Sequence, residues 1–168
     1  MRAITLLTVL FLGFIVLKAQ SNKLDLFTGY GYYENVLLGF KYEYKTGLNL
    51  GISVGSSLSL MNQDNYSLTL ENNVAIAQSK LDEFNRFKWF LTGKIMYWKY
   101  EDEYYLYKVL TLSPAVTRNF VFNNRLYISI DFGPLFTIVL HNKRKTFEEV
   151  GWPYHVMPNI RVLLNFDL

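Results

Sequence analysis

The sequence contains no cysteine. That excludes a disulfide framework and a thiol attachment site for a lipid anchor. Histidine is scarce, two residues in 168, so imidazole is in short supply for metal binding or general-base chemistry. No sign of charge dominates. The formal charge is +3, and removing Arg2 and Lys18 with the leader described below leaves 3 − 2 = +1. A basic footprint for nucleic acid is therefore lacking, and no nucleic-acid partner is expected. Past the leader, no apolar run approaches the roughly 20 residues of a membrane helix. If the mature chain enters a membrane, it does so as strands.

The leader is MRAITLLTVLFLGFIVLKAQ. Arg2 supplies a positive start, residues 4–17 an apolar core, and Ala19 a small residue for cleavage, although Leu17 does not suit the cleavage pattern. This predicts a secretory signal peptide over 1–19 and a barrel domain over 20–168. The alternative, an uncleaved anchor, is disfavoured by the shortness of the core.

What the rest of the chain has is alternation, and residues 155–168 show it best. Val156, Pro158, Ile160, Val162, Leu164, Phe166 and Leu168 share one parity and are apolar, while Met157, Asn159, Arg161, Leu163, Asn165 and Asp167 are mostly polar. Side chains alternate across a strand, so this strand has one greasy and one wet face. Ending on a long apolar face is unusual for a soluble domain, whose termini fray into water. A closed barrel needs such a strand to meet its first one.

Further strands are expected over 24–33, 36–45, 48–59, 66–76, 87–100, 104–118 and 126–140, with short turns at Glu34-Asn35, Thr46-Gly47, 62–65 and Glu101-Asp102. Residues 78–86 make a charged connection with room for a short helix, 119–124 another connection, and 141–154 a long loop. Over 48–59 the polar face is Gly, Ser and Asn, which suits a crowded interior. Pro114 cannot donate to a ladder and is expected at a bulge or edge. Aromatics make up 17% of the chain. Tyr32, Tyr33, Tyr42, Tyr44, Trp98, Tyr100, Tyr104 and Tyr105 gather near strand ends, as rings do in membrane-interface girdles. The expected fold is all-β: a closed antiparallel up-and-down transmembrane β-barrel of about eight strands. Each strand is near the 9–11 residues that cross a bilayer at a tilt.

A signal peptide, about eight amphipathic strands and an apolar terminal strand resemble the small outer-membrane barrels of the OmpX and OmpA-transmembrane type. The resemblance covers the whole mature chain and rests on pattern, with no signature motif. It implies a Gram-negative outer-membrane address, a porin-like architecture and a monomer without a cofactor. It also implies contact with outer-membrane lipids and lipopolysaccharide, and assembly by the barrel-insertion machinery. That machinery reads the terminal strand, here Ile160, Val162, Leu164, Phe166 and Leu168. The usual terminal Phe is replaced by Leu168. The outward loops are short apart from 141–154, which argues against adhesion. The rival fold is a secreted lipocalin-like carrier, with its apolar face inward around a ligand.

Among candidate site residues, Lys41, Glu43, Glu71, Lys94, Asp131 and Arg161 fall on the presumed inner face. Eight strands leave room only for side chains, so Glu71, Lys94, Asp131 and Arg161 are expected to form a polar network that plugs the lumen. The sharper alternative is a narrow gated ion path. A structural or surface-interaction role is expected, with a lipid-modifying enzyme as the alternative. Lipid A deacylases carry a His-x-Ser pair, but the corresponding strand here reads Tyr127-Ile128-Ser129, so no catalytic residue is assigned. His141 and His155 flank the last loop and are weak candidates for a metal or pH-sensitive site with Glu148 or Glu149; the plainer reading is two rim histidines. Lys143, Arg144 and Lys145 form a basic patch that suits lipopolysaccharide phosphates or plain solvent.

Overall fold

A computed structural model describes residues 23–56, 64–76, 87–101, 105–144 and 156–168. The described residues form eight strands: β1 (Leu24–Gly31), β2 (Asn35–Lys45), β3 (Leu48–Ser56), β4 (Asp64–Ala75), β5 (Trp89–Glu101), β6 (Tyr105–Val121), β7 (Leu126–Arg144) and β8 (Val156–Asp167). Each pairs antiparallel with its sequence neighbours, and β8 pairs with β1, so the sheet closes into a barrel. The closing ladder runs from Asp25↔Asp167 to Gly31↔Arg161.

The register fixes the shape. A path starting at Leu24 passes Tyr42, Leu50, Asn72, Gly93 and Pro114, then Pro134 and Pro158. It returns to β1 level with Glu34, a stagger of 34 − 24 = 10 residues. Ten residues over eight strands tilts the strands by roughly 40° from the axis. A barrel this narrow has a bore that side chains fill.

The alternation decides which face each residue takes. On β7, Ile130 is 37% exposed and its neighbour Asp131 only 1%. Leu38, Leu50, Val54, Leu68, Leu70, Leu91, Ile95, Leu112, Val116, Phe132 and Ile160 stand on the outer wall, whereas Lys41, Glu71, Lys94, Asp131 and Arg161 are buried inside. The apolar parity is outward. That is opposite to the arrangement of a carrier with a greasy interior.

Several boundaries differ from the sequence reading. β1 stops at Gly31, and Tyr32, Tyr33 and Glu34 form the turn. Asn35 opens β2 at φ 57, a left-handed conformation that Asn tolerates better than most residues. Asp64 and Asn65, read as turn, belong to β4 because they pair with Glu101 and Tyr100. β6 runs to Val121, and β7 runs on to Arg144 because Tyr105–Lys108 supply partners. His141, Lys143 and Arg144 are thus strand positions. Pro114 sits in the middle of β6, at neither a bulge nor an edge. Pairing of β6 with β7 is interrupted there, across 113–115 and 133–135, where Pro114 faces Pro134. Neither ring nitrogen carries a hydrogen to donate. Residues 1–19, the connection 78–86 and all of 145–154 lie outside the described residues.

Candidate functional site: the filled lumen

The bore is the candidate site, and its middle is built from six charged side chains. Glu71 on β4, Lys94 on β5, Asp131 on β7 and Arg161 on β8 come together there. Arg161 is the hub. Its Nε donates to Asp131 Oδ2 at 2.7 Å and its Nη2 lies 2.6 Å from the same oxygen. Nη2 also pairs with Glu71 Oε2, and Nη1 lies 3.4 Å from Glu34 Oε1. Lys94 Nζ reaches Asp131 at 3.3 Å, and Lys41 Nζ reaches Glu71 at 3.2 Å. Three cations face three carboxylates, so the cluster is neutral. Burying any one alone would cost several kcal/mol, and the geometry offsets this by giving every carboxylate a cation.

Neutral groups complete the cluster. Thr117 Oγ1 donates to Asp131 Oδ1 at 2.8 Å, Thr69 Oγ1 to Glu34 Oε1 at 2.9 Å, and Asn73 Nδ2 to Glu71 Oε1 at 3.1 Å. Thr92 links Asn73 to Thr117, at 2.6 and 2.5 Å. The hydrogen bonds thereby satisfy lone pairs that the ion pairs leave over.

Sequence reasoning read Glu34 only as a turn residue and missed its place in this cluster. The turn folds inward, and glycine makes the room. A Cβ on Gly31 would stand 2.4 Å from Glu34 Oε2, and one on Gly51 would stand 2.6 Å from Glu71 Cγ. A Cβ at either glycine would push the facing glutamate side chain from its place. The recoverable signal was those inward-parity glycines, each opposite a large charged residue. Glu43, by contrast, accepts a bond from Gly47 N at 2.9 Å and takes no part.

Beyond the charges, toward the end of the 32–34 turn, the bore turns apolar. Met96, Trp98, Tyr107, Val109 and Leu135 form a buried cluster with Tyr33, Tyr100 and Met157 packed on it. Tyr33 and Trp98 meet edge to face, with ring centroids 6.2 Å apart. Tyr33 Oη donates to Met157 Sδ at 2.9 Å. Burial, with some help from Tyr32, pushes the Tyr33 hydroxyl above its ordinary pKa. Trp98 therefore faces the bore and is not part of an outer girdle. Its parity explains this: Leu91, Ile95 and Tyr97 occupy the outward positions of β5. Beside the charges, Phe27, Leu37 and Leu163 pack together, with Lys41 Nζ 5.1 Å from the Phe27 ring centroid, and nearer the termini Tyr127 Oη donates to Asp25 Oδ2 at 2.5 Å.

The remaining candidates are scattered. Ser129 donates to Asn119 Oδ1 at 2.8 Å and accepts from Asn165 Nδ2 at 2.9 Å, both amides. His141 pairs in register with Lys108 on β6. Lys143 and Arg144 end β7, while His155, Lys145, Glu148 and Glu149 lie outside the described residues. Among the described residues, no group of three His, Cys, Asp or Glu is placed to hold a metal ion. On the terminal strand, Ile160, Val162, Phe166 and Leu168 are exposed and Leu164 is half-buried.

Comparison of the chain with protein-family models, with curated proteins and with solved structures finds no match.

Proposed function

We propose that this chain is a small outer-membrane barrel of the OmpX and OmpA-transmembrane type, with a structural or surface-interaction role and a lumen plugged by its own side chains. The observation that carries the reading is the inversion of faces. Leucine, isoleucine, valine and phenylalanine cover the outer wall while arginine, lysine, aspartate and glutamate fill the bore. Water as the surrounding solvent would favour the reverse. A closed barrel also satisfies the backbone without an edge, as a lipid solvent requires. Signal-like residues 1–19 fit export, and Ile160, Val162, Leu164, Phe166 and Leu168 supply the outward apolar parity that insertion machinery reads.

On this reading both termini face the periplasm, and the ends of β6 and β7 nearest Tyr105 and Arg144 rise on the cell-surface side. Lys143 and Arg144, at the end of β7, then stand on the side where lipopolysaccharide phosphates lie. On this reading the six-charge cluster keeps the bore closed to ions.

Cell fractionation tests the address, and heat-modifiable mobility on a detergent gel tests the insertion. The chain is expected in the outer-membrane fraction, with folded and boiled forms migrating differently. Recovery of the intact chain as a soluble periplasmic monomer refutes the reading.

A further inference from the structure

The outer wall near the chain termini carries a cation that no carboxylate among the described residues neutralises. Arg118 lies on β6, three residues before the strand ends at Val121. It stands on the exposed parity, level with Trp89 on β5 and Ile130 on β7. No carboxylate among the described residues pairs with it. Among the described residues, the acidic groups at this end, Asp25, Glu43 and Asp167, are on the inward parity of their strands.

The guanidinium is held in place by two rings. Its carbon lies 4.6 Å from the Trp89 ring centroid and 5.0 Å from that of Phe120. Phe120 is two residues nearer the rim, so the side chain bends along the wall toward the rim and away from mid-barrel. Stacking on rings fixes the plane of a guanidinium and leaves its N–H edge to point outward. A planar fork so fixed fits a phosphate, which it can bind by two parallel hydrogen bonds. The exposed Lys23 and Arg125 lie at the same end and add to the positive field.

We propose that Arg118, cradled by Trp89 and Phe120, binds the phosphate of an anionic phospholipid in the leaflet nearest the chain termini. This rests on the transmembrane reading above. Charge complementarity selects the occupant: an anionic lipid neutralises the arginine, whereas a zwitterionic headgroup brings its own cation to compete. The greasy surroundings, Phe120 and Ile130, accept the lipid's acyl chains.

The test is native mass spectrometry of the barrel in detergent with equal amounts of phosphatidylglycerol and phosphatidylcholine. For the first lipid retained, phosphatidylglycerol is expected to be favoured about fivefold, the factor matching ~1 kcal/mol per surface cation at 1.4 kcal/mol per tenfold. Arg118→Gln is expected to bring the ratio near one. An unmodified barrel without preference, or an Arg118→Gln barrel that keeps it, overturns the proposal. If Arg118→Gln does not fold, Phe120→Leu decides: it removes one wall of the cradle and is expected to lower the ratio, and an unchanged ratio overturns the proposal. Heat-modifiable mobility of the same samples separates the two readings. A barrel that never shifts on the gel refutes the membrane assignment, whereas one that shifts and shows no lipid preference refutes only the Arg118 site.

Discussion

At its middle the bore is closed by Glu34, Lys41, Glu71, Lys94, Asp131 and Arg161 in mutual contact, while toward the 32–34 turn it is closed by Met96, Trp98, Tyr107, Val109 and Leu135. Both regions fill the same cross-section, and both are buried. They differ in what they demand of geometry. An ion cluster needs every partner, because a charge left alone keeps its desolvation penalty. An apolar cluster needs only volume, and flexible Met96 and Met157 can redistribute it. The charged region therefore fixes register. Arg161 can meet Glu71 and Asp131 only if β4, β7 and β8 stand at one stagger, and a slip of one residue would turn it into the outer wall. The apolar region fills space without setting that stagger.

The largest effect is expected where a cation is removed from the charged region. Arg161→Met leaves Glu71, Asp131 and Glu34 with only Lys41 and Lys94 between them. A loss of about 3–5 kcal/mol is expected in a reversible urea titration in lipid or detergent. Pairing the change with Asp131→Leu is expected to recover part of that loss, because the cluster then loses one charge of each sign. Additive losses in the double variant would mean that the contacts carry no coupling.

Next in size is the wall that separates bore from surroundings. Asp131 and Phe132 are adjacent and face opposite ways. Phe132→Arg, two residues farther from the rim than Ile130, is expected to cost about 2–4 kcal/mol in a bilayer, the range for arginine on a lipid face near the midplane. Folding in detergent and in lipid should give the same order of effects. A harmless Phe132→Arg would place water, not lipid, against β7.

In the apolar region the expected loss is smaller. Leu135, on β7, is buried in the cluster that holds Met96 and lies opposite Met157 of β8. Leu135→Ala is expected to cost about 2–3 kcal/mol, the low part of the range for such truncations, because Met96 and Met157 can move into the space. Urea midpoints check it. A loss as large as that for Arg161→Met would show that the apolar region is as exacting as the charged one.

The strand pattern was legible because alternation is a local property. Ile130 beside Asp131, and Leu50 and Val54 beside Ser53, give the outward parity without any knowledge of partners. Glu71, Lys94, Asp131 and Arg161 could be grouped because inward charges in a bore this narrow have nowhere else to go. Glu34 was not grouped with them, although the inward-parity glycines carried a signal for it. Its position depends on a turn folding into the mouth and on Gly31 and Gly51, which sit on other strands or other turns of the path. Trp98 was misplaced for a related reason. A ring near a strand end suits a girdle and a bore equally, and only its parity against Leu91 and Ile95 separates the two. The extension of β7 to Arg144 depended on β6 supplying partners, which is a property of the pair and not of either segment.

The smallest effect tests the comparison most directly, because distance and energy should run in opposite directions. Lys99 and Glu101 approach to 2.6 Å at the rim, closer than the 3.3 Å between Lys94 and Asp131 in the bore. The shorter pair is the more exposed: side-chain accessibilities are 19% and 32% at the rim, against 3% and 1% inside. Water screens the rim pair and would rehydrate either partner if the other were lost, so the close approach brings little. Lys99 also lies 5.6 Å from the Tyr66 ring centroid, a contact of modest worth at an exposed site. Lys99→Ala is therefore expected to cost less than about 1 kcal/mol, with the difference from the unmodified barrel shrinking as salt is raised. Lys94→Met keeps the volume but leaves Asp131 with one cation fewer in a site water cannot enter, and its cost is expected to be larger and nearly salt-independent. Parallel urea titrations at low and high salt decide it. If Lys99→Ala equals Lys94→Met, or if both respond to salt alike, then burial is not what separates the bore from the rim.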